Sequence, residues 1–214
     1  MKKRLLTGLA IGMFVLCVVG IANAEIYGGV DFLDGATSFA DECIFYQPTT
    51  DVHSPHNDPS AALGIPDYHS YSNYVSLGDE GVLILKFSDN SLTTSWDNSD
   101  DLWIFEIGSA IEPTSVDIST NGANWINVGN TSGGTYGIDI DAYLSSGVVL
   151  GERYSYVKLT DLLPHQSGSP YEGADIDAVG AISSAPPVPI PGAIWLLGTG
   201  LAGLVGIRTR RRKK

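Results

Sequence analysis

The sequence is poor in cysteine: its 214 residues include only Cys17 and Cys43. Because Cys17 lies in an apolar run at the N-terminus, removal of that run would exclude an intramolecular disulfide. Basic residues are also scarce. Between residues 25 and 185, only Lys86, Arg153 and Lys158 oppose 24 carboxylates, which gives a formal charge of −21. Such a charge repels a polyanionic backbone, so nucleic acid is excluded as a partner.

Signatures of nucleophilic catalysis and of phosphate binding are absent too. The sequence contains no Gly-x-Ser-x-Gly, no His-Glu-x-x-His and no glycine-rich loop with lysine. Glycoside hydrolases use paired carboxylates, but a chain with 24 of them contains such pairs by chance. We therefore predict a protein that is not an enzyme. The alternative is a polysaccharide-degrading enzyme on a jelly-roll scaffold.

Residues 1–24 have the layout of a secretory signal peptide. A basic start precedes an apolar core, residues 5–21, and the segment ends in the small residues Ala22-Asn23-Ala24. We predict cleavage after Ala24 and a mature chain outside the cytoplasm. The alternative is an uncleaved membrane anchor.

A second apolar segment, residues 192–207, precedes a basic tail, residues 208–214. As a helix it would span about 24 Å, against a hydrocarbon core of about 30 Å. We predict a single transmembrane helix whose basic tail stays in the cytoplasm. A linker rich in proline, serine and alanine, residues 183–191, would join it to the exported domain, residues 25–182.

The last 27 residues, VPIPGAIWLLGTGLAGLVGIRTRRRKK, resemble the PEP-CTERM sorting signal. Pro-Ile-Pro at residues 189–191 stands in place of the usual Pro-Glu-Pro. The resemblance implies recognition by an exosortase-type sorting enzyme, an intermediate anchored in the inner membrane, and delivery to the cell envelope or extracellular matrix. The alternative is a permanent C-terminal anchor. The residues that carry the resemblance are Pro189, Ile190, Pro191, Trp195, Arg210, Arg211 and Arg212.

Between these ends the chain has the pattern of short strands separated by turns. Alternation predicts one face of a strand for Tyr154, Tyr156, Lys158 and Thr160, and one face of the last strand for Asp175 and Asp177, opposite Ile176 and Ala178. Since no long helical period occurs, the prediction is an all-β protein with an antiparallel β-sandwich. The predicted strands are residues 81–87, 101–107, 115–120, 124–128, 153–161 and 174–182.

A second resemblance follows from the order of six segments. They are similar to the cell-surface branch of the discoidin or galactose-binding-like jelly rolls. This implies an eight-stranded sandwich of a kind that often binds sugars or calcium, but it does not supply a ligand. We predict a binding or structural module whose partner is extracellular polysaccharide. The segments are DPSAALGIPD (58–67), VSLGDEGVLILKFSD (75–89), DLWIFEIG (101–108), VDISTNGANWINVG (116–129), YVKLTDL (156–162) and GADIDAVGAI (173–182).

Two candidate sites follow from residue chemistry. Carboxylate-rich loops suit calcium, which prefers six to eight oxygen ligands, and exposed aromatic rings suit the apolar faces of sugars. The alternatives are acids solvated at the rim of the sandwich and aromatic rings that pack its loops. The calcium candidates are Asp97, Asp100, Asp101, Asp175 and Asp177; the glycan-binding candidates are Tyr68, Tyr71, Tyr74 and Trp96.

Overall fold

The computed structural model describes residues 24–48, 52–69, 72–108, 112–162 and 173–185. The predictions of a signal peptide, a sorting motif, a transmembrane helix and a basic tail concern residues outside these stretches, apart from Ala24. Within the described stretches, no helix is long and apolar enough to cross a membrane. The fold is therefore that of the predicted exported domain.

Two antiparallel sheets form the body of this domain. The five-stranded sheet contains, in spatial order, β3 (Glu42–Gln47), β5 (Val82–Lys86), β10 (Tyr156–Asp161), β7 (Thr114–Ser119) and β8 (Ile126–Asn130). The four-stranded sheet contains β4 (Val75–Ser76), β11 (Asp175–Ala181), β6 (Leu102–Ile107) and β9 (Thr135–Ile138). A separate hairpin is formed by β1 (Glu25–Tyr27) and β2 (Val30–Phe32). In the connections lie the short 3-10 helices Gly35–Ser38, Pro59–Ala62 and Ile140–Ser146.

The inner core lies between the two sheets and confirms the predicted antiparallel β-sandwich. On β10, Val157 and Leu159 are fully buried, whereas Lys158 between them faces outwards and pairs with Asp117 at 3.3 Å. This is the alternation expected of a strand with one buried face. The other inner residues come from both sheets: Leu83, Leu85, Val116 and Ile118 from the larger, and Leu102, Ile104, Ile176 and Val179 from the smaller.

The outer face of the four-stranded sheet is also buried, because the β1–β2 hairpin and the segment after it cover it. Phe32 and Phe39 pack with ring centroids 4.6 Å apart, and both lie 6.0 Å from Phe105 on β6. A side chain at Gly180 would meet these rings, since an added Cβ would lie 2.7 Å from Phe32 and 2.8 Å from Phe39. Both faces of β11 are therefore buried.

The predicted faces of the last strand were wrong beyond Ile176. The register with β6 shifts between Ile176 and Ala178, which leaves Asp177 in a β-bulge. Because a bulge adds one residue to one strand, the alternation changes sides. Ile176 and Val179 consequently face the inner core, while Ala178 faces the outer aromatic cluster.

The prediction that Tyr154 shares a strand face with Tyr156, Lys158 and Thr160 was also wrong. The strand β10 begins only at Tyr156, and Tyr154 forms an isolated bridge with Leu92. Its side chain is 1% exposed and belongs to the inner core. The hydroxyl is satisfied there because it accepts a hydrogen bond from the Val149 N–H at 2.8 Å.

The pairing of β6 with β9 positions the site described next. These strands run antiparallel, with Leu102 opposite Ile138. The start of β6 therefore lies beside the end of β9, and the Asp101 N–H donates to the Ile138 carbonyl at 2.9 Å. The loop before β6 and the 3-10 helix Ile140–Ser146 after β9 meet at this end of the sandwich.

Candidate functional site

Three carboxylates converge at the junction of β6 and β9. Asp101, Asp139 and Asp141 each place an oxygen within 4.8 Å of the other two. Sequence analysis had selected Asp101 but missed the other two. The available signal was the pair of acids two residues apart in GIDIDAY, but nothing local connects that pair with Asp101, about 40 residues earlier in the chain.

Asp101 is the deepest member of this group, which we call the Asp101 cluster. Its side chain is 0% exposed, and its Oδ2 accepts a hydrogen bond from the Ile140 N–H at 2.9 Å. Its Oδ1 is buried and accepts no hydrogen bond of ordinary geometry. Burial raises the pKa of this carboxyl group, although the nearby hydroxyls of Ser183 and Ser95 oppose that rise.

Asp139 and Asp141 are half-buried and differ in their partners. The Oδ1 of Asp139 is buried without a hydrogen-bond partner. The Oδ2 of Asp141 accepts three hydrogen bonds from the loop before β6: from the Ser95 N–H at 3.0 Å, the Ser95 hydroxyl at 3.1 Å and the Trp96 N–H at 3.1 Å. Asp141 therefore ties the Asp101 cluster to the loop that carries Trp96.

Trp96 is the most exposed tryptophan of the described residues, with 68% of its surface accessible. Its backbone φ is +70°, a left-handed conformation that is uncommon for a bulky residue. The ring packs over Gly151, where an added Cβ would lie 3.5 Å from the indole. The hydrogen bonds to Asp141 connect this backbone to the 3-10 helix after β9.

An open cavity of about 340 Å³ lies beside this ring. Its wall combines one aromatic ring, hydrogen-bonding groups and aliphatic side chains. Sugar-binding sites use such a mixture, because a sugar offers both an apolar face and hydroxyl groups. The lining residues are Trp96, Asp97, Asn98, Asp139, Asp141, Ala142, Leu144 and Leu150.

The structure distributes the other predicted calcium ligands over separate places. Asp97 lines the cavity, and its Oδ1 accepts hydrogen bonds from the N–H and hydroxyl of Ser99. The carboxylate of Asp100 lies against Gly137 on β9, in the space that a Cβ would occupy. Neither residue belongs to the Asp101 cluster.

Asp175 and Asp177 do not belong to the cluster either. Asp175 accepts a hydrogen bond from the Ser76 hydroxyl, and Asp177 accepts one from the Asp67 N–H at 3.2 Å. Burial raises the pKa of each carboxyl group to about 6. Each acid is thus engaged within the protein rather than solvated at the rim.

Of the three tyrosines predicted to bind glycan, the structure describes Tyr68 and Tyr74, and their exposure differs. Tyr74 is 4% exposed and stacks on His56 with ring centroids 4.2 Å apart, so its ring packs the loop. Tyr68 is 41% exposed and contacts Tyr74 edge-on at 5.9 Å. Tyr71 lies outside the described residues. Of the three predicted aromatic residues that the structure describes, Trp96 is the most exposed.

Comparison with known proteins does not assign a ligand to this site. No protein-family model and no curated protein matches the chain. Among solved structures, it is similar to a family 32 carbohydrate-binding module produced by Clostridium perfringens, with 12% identity, 51% of this chain and 74% of that chain covered, and a TM-score of 0.33. It is also similar to the C-terminal domain of a chitobiase from Bacteroides fragilis, with 12% identity, coverages of 69% and 94%, and a TM-score of 0.38. The β-sandwich assignment rests on the sheets of this chain itself.

Proposed function

We propose that this chain is an exported, non-catalytic binding module that contacts a neutral extracellular polysaccharide at the Trp96 cavity. The observation that carries the proposal is the exposed indole of Trp96, held over an open, oxygen-lined cavity. Exposing a large ring forgoes roughly 1.5–3 kcal/mol of burial free energy. A sugar that stacks on the ring recovers part of that free energy.

The polar wall of the cavity defines the kind of sugar. Asp97, Asp139 and Asp141 offer carboxylate oxygens, which accept hydrogen bonds from hydroxyl groups, and Asn98 both donates and accepts. A carboxylated or sulfated polysaccharide would meet these negative charges and the −21 of residues 25–185. A neutral polysaccharide avoids this repulsion.

The same arrangement disfavours glycoside hydrolysis. The oxygens of the Asp101 cluster lie within 4.8 Å of one another, whereas the two acids of a hydrolase are about 5 to 10 Å apart on either side of the scissile bond. Asp101 is also wholly buried and cannot reach a sugar in the cavity. Within the Asp101 cluster, the acids are therefore closer together than the pair of a hydrolase, which disfavours the rival function, polysaccharide degradation, for these three residues.

Export and sorting complete the proposal. An N-terminal signal would deliver the chain outside the cytoplasm, and the PEP-CTERM-like end would be recognised by an exosortase-type enzyme. Mass spectrometry of the protein from its native host should then detect no peptide beyond about Trp195. A peptide from Leu201 to Arg208 in most molecules would instead identify a permanent anchor.

Binding is tested with the purified full-length chain on an array of neutral glycans and on the matrix polysaccharide of the host. Trp96→Ala should weaken binding about tenfold or more, since each 1.4 kcal/mol of lost contact is a factor of ten. The matched control is Trp125→Ala, because this ring lies away from the cavity, beside the five-stranded sheet. Its centroid is 4.9 Å from the Nζ of Lys158 on β10. Equal losses in both variants would contradict a site at Trp96.

A reducing-sugar assay on any polysaccharide that binds separates binding from degradation. The proposal expects no increase in reducing ends over time. Release of reducing ends that stops after one carboxylate is replaced by its amide would establish the rival function.

A further inference from the structure

The Asp101 cluster contains more oxygen ligands than its hydrogen bonds account for. Asp101 is wholly buried, yet its Oδ1 has no donor of ordinary geometry, and the buried Oδ1 of Asp139 also has none. A buried polar atom left without a partner destabilises the folded state. Asp101 and Asp139 also each place one carboxylate oxygen within 4.8 Å of the other and of an oxygen of Asp141.

The electrostatics of the cluster call for a positive charge. Three carboxylates within 4.8 Å repel one another, and the repulsion grows where burial excludes water. Two of the basic side chains of the domain are engaged elsewhere, because Lys86 pairs with Glu42 and Lys158 with Asp117. A cation between the carboxylates would relieve the repulsion and satisfy the free oxygens together.

The chemistry of the ligands selects a hard cation. The cluster offers carboxylate oxygens and contains neither histidine nor cysteine, the residues that favour zinc and copper. Each ligand of Ca²⁺ lies about 2.3–2.6 Å from the ion, so two ligands of one ion are at most about 5 Å apart. The separations in the cluster, all within 4.8 Å, fit that limit. Mg²⁺ holds its ligands at about 2.0–2.1 Å and demands a tighter octahedron.

We propose that Asp101, Asp139 and Asp141 bind one Ca²⁺ ion and that this ion fixes the loop carrying Trp96. The link is Asp141, whose Oδ2 already holds the backbone N–H groups of Ser95 and Trp96. Without the ion, the repulsion between the three charges opposes the hydrogen bond that ties the 3-10 helix Ile140–Ser146 to Asp101. With the ion, that helix and the Trp96 loop are held at one position.

The site is tested first without any sugar. The purified full-length chain is stripped with EDTA, and CaCl₂ or MgCl₂ is added at matched ionic strength during calorimetric titration and thermal melting. We expect one Ca²⁺ per chain, and a melting temperature that rises about 5–10 °C at a hundred times the dissociation constant. Mg²⁺ should produce a much smaller rise. Equal shifts of the melting temperature with both ions would contradict the proposal, because the cluster would then act only as unspecific negative charge.

Asp139→Asn and Asp141→Asn provide the decisive variants because the amide is nearly isosteric with the carboxyl group. Each should bind Ca²⁺ at least tenfold more weakly than the unaltered chain. In EDTA, each should melt at the same or a higher temperature, because one of three repelling charges is gone. The matched control is Asp97→Asn, because Asp97 lines the same cavity but does not belong to the cluster. This variant should leave Ca²⁺ binding unchanged. Lower melting in EDTA together with unaltered Ca²⁺ affinity would overturn the proposal.

Tryptophan fluorescence tests whether the ion fixes the Trp96 loop. Ca²⁺ should change the emission of the unaltered chain and leave that of Trp96→Phe nearly constant. A change of equal size in Trp96→Phe would refute this part, because the signal would then come from another tryptophan. The measurement needs no sugar, so it does not depend on the function proposed above.

A further consequence, that Ca²⁺ strengthens sugar binding, rests on the proposed function. If EDTA weakens binding of a neutral polysaccharide and Ca²⁺ restores it, both proposals gain support. If Ca²⁺ binds but no glycan does, the proposed function fails while the ion site stands. If a glycan binds equally in EDTA and in Ca²⁺, the coupling of the ion to sugar binding is refuted.

Discussion

The two ends of β6 bury carboxyl groups in different ways. Asp101, just before the strand, directs its carboxylate towards two others and accepts a hydrogen bond from the Ile140 N–H. Glu106, roughly 17 Å further along the strand, is 6% exposed, and neither of its oxygens has a hydrogen-bond partner of ordinary geometry. The protonation state of a buried acid therefore also depends on its hydrogen-bond donors and on the charges beside it.

The surroundings of Glu106 favour its protonated form. Burial raises the pKa of this carboxyl group to about 8, and the charges of Glu112, Asp175 and Asp161 contribute to the rise. Asp161 has donors, since its oxygens accept hydrogen bonds from the Ala174 N–H at 2.9 Å and the Glu80 N–H at 3.2 Å. We therefore expect the Asp101 end to take up the proposed cation and the Glu106 end to take up a proton.

The largest effect that separates the two ends is expected from Asp101→Asn in Ca²⁺. The amide oxygen still accepts the hydrogen bond from Ile140, but one charged ligand is lost. If the variant no longer binds the ion, it loses about 2.7 kcal/mol of unfolding free energy at a hundred times the dissociation constant. Urea denaturation in Ca²⁺ and in EDTA measures the difference. An equal loss in EDTA would mean that Asp101 has only a packing role.

The matching substitution at the other end, Glu106→Gln, should act with the opposite sign. The pKa of Glu106 is about 8 in the folded protein against 4.5 ordinarily, so the folded state binds the proton more tightly. Its stabilising contribution is full below about pH 4.5 and is lost as the pH rises through 8. Gln keeps the group neutral, so we expect a gain of a few kcal/mol at pH 8.5 and little change at pH 5.

Denaturation of both chains between pH 5 and 9 measures this effect. The unaltered chain should lose stability across that range, with a further contribution between about pH 4 and 6 from Asp175 and Asp177, whose pKa values are raised to about 6. A Glu106→Gln profile parallel to that of the unaltered chain would show that Glu106 does not titrate there.

The sequence predicted the sheets better than the site. The alternation that places Val157 and Leu159 inside is a local pattern, and β5, β6, β7 and β10 follow from such patterns within a few residues. The dipeptide Asn121-Gly122 is likewise a local signal for a turn. It lies between β7 and β8, where Gly122 adopts a φ of +71°.

The predictions that failed depend on how distant strands pair. Periodicity indicates which face of a strand is buried, but it does not reveal which strand lies beside it. Asp139 and Asp141 join Asp101 only because β9 pairs with β6, and the bulge at Asp177 follows from how β11 fits its neighbours. For this reason the sequence did not predict the Asp101 cluster and predicted the wrong faces for the last strand.

The smallest effect compares two serine hydroxyls, one at each end. Ser76 is fully buried, and its hydroxyl donates to Asp175. Ser76→Ala leaves that oxygen without its side-chain donor, so we expect a loss of about 1–2 kcal/mol above pH 6. The loss should shrink at lower pH as Asp175 takes up a proton, because the hydrogen bond from Ser76 lowers the pKa of that carboxyl group.

At the other end, Ser95→Ala removes one of three donors to Asp141. The N–H groups of Ser95 and Trp96 remain at 3.0 and 3.1 Å, and the site is only partly buried, so we expect a loss of about 0.5 kcal/mol. Denaturation of both serine variants at pH 5 and 8 measures the contrast. Should Ser95→Ala cost as much as Ser76→Ala, the hydroxyl rather than the backbone would hold the Trp96 loop. The Asp101 end would then depend on side-chain hydrogen bonds as strongly as the Glu106 end does.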